Sequence, residues 1–214
     1  GLAGALQHDF DTIAPDMPGH GRSASHAAVH GYSFDDCIDD LVATLAASGH
    51  PSAHWLGYSM GARLALACAV RHPSRVTSLV LLAGRAGIAD PGERAARRRA
   101  DEALAARIEQ LGVEAFVDDW LAQPLFATLQ RFGPEFMARE RAARLANDAR
   151  GLASSLRALG PAAQPPLFGA LRRVNAPVLL VAGELDTRFV AAAHELARRL
   201  PRAEVRVIPD AGHA

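Results

Sequence analysis

The stretch Gly57-Tyr58-Ser59-Met60-Gly61-Ala62-Arg63 constrains this chain more than any other, because its first five residues fit G-x-S-x-G. Before it runs the short apolar segment "AHWLGYS", and after it "MGARLALACAVRHP", a helical pattern closed by Pro73. A serine between a strand and a helix sits on a tight, strained turn that exposes its hydroxyl. Glycines at positions 57 and 61 let strand and helix approach each other there. The N–H of Met60 then stands at the helix start, where it can stabilise a developing oxyanion. The competing reading is a glycine-rich turn around a buried serine. Next comes "VTSLVLLAG", a near-continuous apolar run of the kind found in strands buried on both faces. Strand, helix, strand at this spacing is a unit of a parallel sheet.

The rest of the chain extends that pattern. "FDTIAPD" (10–16) reads as a short extended run ending in the loop "PDMPGHGRS". Phe34, Cys37, Ile38, Leu41, Val42 and Leu45 recur at helical intervals, and Ser33 with Asp36 marks a start for that helix. Between Arg85 and Arg173 the texture becomes rich in Ala, Arg, Glu and Leu, is broken at "QPLF", "FGPE" and "AAQPPLF", and shows no strand-like run. This predicts a helical lid over 85–173, inserted into a core formed by 1–84 and 174–214. Strand-like "APVLLVAGELD", helical "VAAAHELARRLP" and strand-like "AEVRVIPDAGH" complete the core.

Composition limits the partners. Of 214 residues, 50% are hydrophobic and 21% charged, the balance of a globular protein with a full core. The formal net charge is zero, so nothing calls for nucleic acid or an anionic membrane. The arginines concentrated over 85–107 read mostly as a solvated helix face. No apolar run is long enough to span a bilayer, and no signal peptide is recognisable. The two cysteines, Cys37 and Cys68, fit neither a C-x-x-C nor a metal spacing, so no metal site is expected. Cys68 reads as a small core residue, and a cytoplasmic location is expected.

A serine hydroxyl is inert unless a histidine takes its proton and a carboxylate orients that histidine. Asp186 follows one late strand and His213 another, in the order Ser, Asp, His. Asp210 and Glu184 compete with Asp186, although Asp210 reads better as a turn residue. Of nine histidines, His20 is the only other loop histidine of interest. Arg63 raises a separate question. It lies four residues after Ser59, on a helix otherwise apolar, and a buried guanidinium needs a partner. That partner is either a protein carboxylate or a substrate carboxylate held bidentately.

On these residues the chain resembles an α/β-hydrolase, with a mostly parallel sheet, helices on both faces and an inserted helical lid. Within that superfamily, "APDMPGHGRS", "GYSMGARLALA", "WLAQPLFA", "GLASSLRALGPAAQPPLF" and "LLVAGELDTRF" resemble the 2-succinyl-6-hydroxy-2,4-cyclohexadiene-1-carboxylate (SHCHC) synthases of menaquinone biosynthesis. The likeness covers nearly the whole chain, lid included. It implies a lyase without cofactor that eliminates pyruvate from a small polycarboxylate, 2-succinyl-5-enolpyruvyl-6-hydroxy-3-cyclohexene-1-carboxylate. Ser59, relayed by His213 and Asp186, would act as base rather than as an acylated nucleophile. The resemblance also matches Arg97 and Arg144 to carboxylate-binding arginines. Arg98 and Arg141 are near competitors. Tyr58 and Trp120 would wall the pocket, Trp120 serving equally well as lid core.

The chain departs from that pattern at its ends. Nothing before Asp9 resembles the His-Gly-x-x-Gly type loop that supplies a second oxyanion donor, and no helix follows "AGHA". Truncation at both ends is therefore the expectation. Two other functions compete: a carboxylesterase or C–C bond hydrolase on the same scaffold, and a catalytically silent binding protein. Oligomeric state has no signature in the sequence.

Overall fold

The computed structural model describes residues 2–23 and 32–214. Four strands, β1 (Ala53–Tyr58), β2 (Val76–Leu82), β3 (Val178–Gly183) and β4 (Ala203–Ile208), form one sheet in the order β1-β2-β3-β4. Every neighbouring pair is parallel. Parallel neighbours require crossovers, and helices α3 (Met60–Arg71) and α7 (Thr187–Ala197) supply two of them. Ahead of the sheet run α1 (Leu2–Leu6) and α2 (Phe34–Ala47), and α2 lies against α3. The α2 start is a capping box. Ser33 Oγ accepts from the Asp36 N–H, and the Asp36 carboxylate accepts from the Ser33 N–H.

The core lies between the sheet and α2, α3 and α7. Leu64, Leu66 and Cys68 of α3 meet Leu79 and Leu81 of β2 and Leu180 of β3, each almost wholly removed from solvent. Burial raises the Cys68 thiol to about 12, which keeps it protonated. Burial on β2 alternates instead of covering both faces, because Val80 and Leu82 on the opposite face are only half-buried. The apolar run "VTSLVLLAG" thus overstates its burial. Leu56 of β1 faces the same way as Val80 and is 45% exposed.

Between β2 and β3 every regular element among the described residues is helical. The 31-residue α4 (Pro91–Leu121) breaks at Gly112, whose φ of 82° is outside the helical range. A 3₁₀ segment (Pro124–Phe132), α5 (Pro134–Leu145) and α6 (Ala149–Leu159) follow, and α6 packs against α4. The breaks foreseen at "QPLF", "FGPE" and "AAQPPLF" fall at Pro124, at Gly133 and after α6.

The run 10–16 makes no strand. Residues 11–17 join no ladder, and Leu2–Leu6 before them is helical. An extended segment gains its backbone bonds only from a neighbour, and among the described residues β1 pairs only with β2. Instead the run is fastened by side chains: His50 Nε2 bonds Asp11 at 3.1 Å, and the Phe10 ring meets His54 edge-on.

Candidate active site

Ser59 follows the last residue of β1 and precedes the first of α3, with φ 49° and ψ −104°. Side-chain-bearing residues rarely adopt that region, and the strain projects Oγ away from both elements. The Ser59 N–H donates to Leu82 O at 2.8 Å, which fastens the turn to the end of β2. Gly57 makes the turn possible, since a Cβ there would fall 2.3 Å from Gly61 backbone atoms. At Gly61 a Cβ would meet nothing within 4 Å, so the close approach depends on glycine at position 57 and only on the Gly61 main chain. Met60, as first residue of α3, has an N–H without an intrahelical acceptor.

Asp186 and His213 come from the loops after β3 and β4. His213 Nε2 lies 3.1 Å from Ser59 Oγ, and its Nδ1 lies 2.6 Å from Asp186 Oδ2. The His213 and Asp186 side chains are 2% and 6% exposed, so this hydrogen bond operates with little water. The competing carboxylates are engaged elsewhere. Asp210 adopts φ 56° in the β4 turn and pairs with Arg131, while Glu184 accepts the Asp210 N–H. His20 bonds Pro18 O through Nδ1, and burial lowers its pKa.

Three aromatic rings surround the imidazole, with centroids 4.6 Å (Phe189), 5.3 Å (Tyr58) and 6.2 Å (Phe126) away. Sequence reasoning named only Tyr58. Phe189 stands three residues after Asp186, in the first turn of α7, and that spacing is the signal that could have found it. Among the described residues Trp120 forms no ring pair with His213. It stacks between Phe116 and Phe126, one ring behind the histidine in the helical segment. Burial lifts the Tyr58 phenol to about 12, against the pull of the Arg144 charge, with Asp186 pushing it further up.

Glycine also brings the histidine loop against its surroundings. A Cβ on Gly183 would lie 2.1 Å from Gly212 O, directly beside His213. Gly183→Ala is expected to lower kcat about tenfold or more while KM changes little, because displacing a reacting group by a fraction of an ångström is costly. Steady-state kinetics on the purified variant checks this.

The structure gives Arg63 a partner outside both sequence alternatives. Its η nitrogens donate to Leu159 O (2.8 Å) and Gly160 O (3.3 Å), the carbonyls at the C-terminal end of α6. A cation at that end satisfies carbonyls that lack helical donors and meets the negative pole of the helix. Burial and the nearby Arg97 pull the Arg63 pKa down to about 10, with Asp101 opposing, so the group stays charged at neutral pH. Arg97 donates through Nε to Asp101 (2.7 Å), and Arg98 to Ala162 O. Arg144 pairs with Glu140 (2.6 Å), whereas Arg141 is held on the surface by Glu114 and Asp118. Arg63 and Arg97 are thus neighbours, Arg144 acts on Tyr58, Arg98 is engaged at the same turn after α6, and Arg141 is held on the surface.

Comparison with known proteins agrees with this geometry. The α/β-hydrolase fold family matches residues 1–214. A 2-succinyl-6-hydroxy-2,4-cyclohexadiene-1-carboxylate synthase of Enterobacter sp. (strain 638) is 36% identical over 98% of this chain and 77% of its own. A Bacillus subtilis (strain 168) relative bearing that name provisionally is 37% identical over 96% and 75%. Among solved structures, MenH from S. aureus superposes with a TM-score of 0.86 at 31% identity, covering 93% of this chain and 74% of that one. A thermophilic esterase from Thermogutta terrifontis gives 0.78 at 27%, over 97% and 74%. The chain belongs to the α/β-hydrolase fold family and, within it, to the 2-succinyl-6-hydroxy-2,4-cyclohexadiene-1-carboxylate synthases.

Proposed function

We propose that this chain eliminates pyruvate from 2-succinyl-5-enolpyruvyl-6-hydroxy-3-cyclohexene-1-carboxylate, producing SHCHC for menaquinone biosynthesis. One observation carries the reading: Ser59, His213 and Asp186 are hydrogen-bonded in series, with Arg63 one helical turn after Ser59 and a neighbour of Arg97, and with Arg144 near Tyr58, whose ring meets His213. A simple ester needs no such concentration of cations, whereas a substrate with several carboxylates does.

In this mechanism His213 draws the proton from Ser59 Oγ, held in the right tautomer by Asp186. The oxygen so activated removes the ring proton at C2, the C–H electrons form the 2,3 double bond, and the existing 3,4 double bond shifts to the 4,5 position. The C–O bond to the enolpyruvyl group breaks and its electrons leave as pyruvate enolate, which takes up a proton to become pyruvate. The Met60 N–H stabilises developing negative charge. Arg63, Arg97 and Arg144 hold the carboxylates, Tyr58 and Phe189 wall the reacting end, and Trp120 backs it. The helical segment 85–173 serves as the lid over 1–84 and 174–214. A cytoplasmic location belongs to the same reading, since Cys37 and Cys68 are free and buried. No helix among the described residues is long and apolar enough to cross a membrane.

The test is pyruvate release from substrate generated in situ, run beside a panel of p-nitrophenyl esters. Pyruvate release with ester turnover about 100-fold slower or less is expected. Rapid ester hydrolysis and phosphonate labelling without pyruvate would make Ser59 an ordinary nucleophile, as the likeness to the Thermogutta esterase would suggest. Silence in both would favour a binding protein.

A further inference from the structure

Asp101 is a carboxylate that the chemistry above does not use, and it is only 5% exposed. Lone buried carboxylates are costly, so such a residue must be compensated by specific partners. Its two oxygens take different ones. Oδ1 accepts Arg97 Nε at 2.7 Å, and Oδ2 accepts the Ala162 N–H at 3.3 Å. A Cβ on Gly160 would come within 3.0 Å of that same Oδ2, so the turn after α6 is packed directly onto the carboxylate. Arg63 is anchored on this turn from the other side, through Leu159 O and Gly160 O.

We propose that Asp101 is a positioning residue for the arginine site: by holding Arg97 through Nε alone it leaves both η nitrogens to grip a substrate carboxylate, while its second oxygen rests on the turn at Gly160–Ala162. The proposal rests on the reading of Arg97 as a carboxylate-binding group. Among the described residues the Arg97 η nitrogens donate to no protein acceptor, and its side chain is 40% exposed. Among them, too, Asp101 is the only carboxylate in an ion pair with either Arg63 or Arg97. Two cations facing one anion leave a net positive charge, which a bound carboxylate neutralises. A guanidinium can serve two anions at once because its Nε and its fork point apart, a division that an ammonium cannot make.

Binding of tricarballylate, a tricarboxylate, is measured by calorimetry at low salt on the whole chain, alongside KM and kcat for pyruvate release. Asp101→Asn is expected to weaken tricarballylate about tenfold or more and to raise KM similarly, with kcat within about threefold of the parent. In an Arg97→Ala background the same substitution should change Kd less than about twofold, because coupled residues are not additive. Arg97→Lys, which leaves Asp101 and its turn intact, should bind tricarballylate as weakly as Arg97→Ala. Equal effects of Asp101→Asn in both backgrounds, or full binding by Arg97→Lys, would reduce Asp101 to a structural counter-charge and overturn the proposal. Failure of the parent chain to bind tricarballylate would overturn it as well. A parent that binds tricarballylate but releases no pyruvate would refute the lyase assignment alone, and the Kd comparison would still decide the role of Asp101.

Discussion

Ser59→Ala is expected to lower kcat for pyruvate release by about 10²–10⁴-fold, the range for loss of a general base, while KM stays within a few-fold. The reason is local. Oγ is the group 3.1 Å from His213 Nε2, whereas the carboxylates are assigned to the arginines. Removing one oxygen therefore takes away proton transfer and leaves substrate binding. The thermal midpoint should hardly move, because Oγ caps no helix N–H and the strained φ of 49° is set by the turn. Full retention of pyruvate release would show that the proton is taken elsewhere. A large rise in KM with kcat preserved would assign Ser59 to binding and not to proton transfer.

Arg63→Ala should strike stability and binding together. Two carbonyls at the end of α6 lose their charged donor, and hydrogen bonds of that kind contribute about 1.5–3 kcal/mol each, so a loss of about 3 kcal/mol is expected. Chemical denaturation should show it as a lower midpoint with an unchanged slope. KM should rise about 10–100-fold, the equivalent of one charge-assisted contact. An unchanged midpoint would mean that the α6 carbonyls are satisfied without Arg63. An unchanged KM would mean that Arg63 is a helix cap and nothing more. The two readouts separate the helix cap seen in the structure from the substrate contact proposed for the same side chain.

The sequence displayed the elements whose signals are local. The G-x-S-x-G turn, the Ser33–Asp36 cap and the periodicity of α2 each follow from residues a few positions apart, and each appears where expected. Asp186 and His213 were legible because parallel strands put their following loops at one end of the sheet. What stayed hidden depends on long-range neighbours. The segment 10–16 has the composition of a strand but no ladder, a fact decided by what lies beside β1. The Arg63 partners lie 96 and 97 residues away and are carbonyls, which no side-chain pattern announces. Trp120 had two readings, and the stacking that sets it one ring behind His213 was invisible in "WLAQPLFA". Asp101 sat unnoticed among arginines, because in a charge-rich helix nothing marks the one carboxylate that turns inward.

The bond from the Ser59 N–H to Leu82 O is the first of a series across the sheet end. The Ala83 N–H donates to Val181 O, and the Glu184 N–H to Ile208 O, so the end of each strand is fastened to the next. The Ser59–His213 separation is consequently the last link of a chain of dimensions running through all four strands, and errors in it accumulate. A slip of one residue between any two strands would displace the loops by about 3.3 Å and turn their side chains over. Mutations in β4, far along the chain from the serine, should therefore be read as adjustments to the distance at which its proton is transferred.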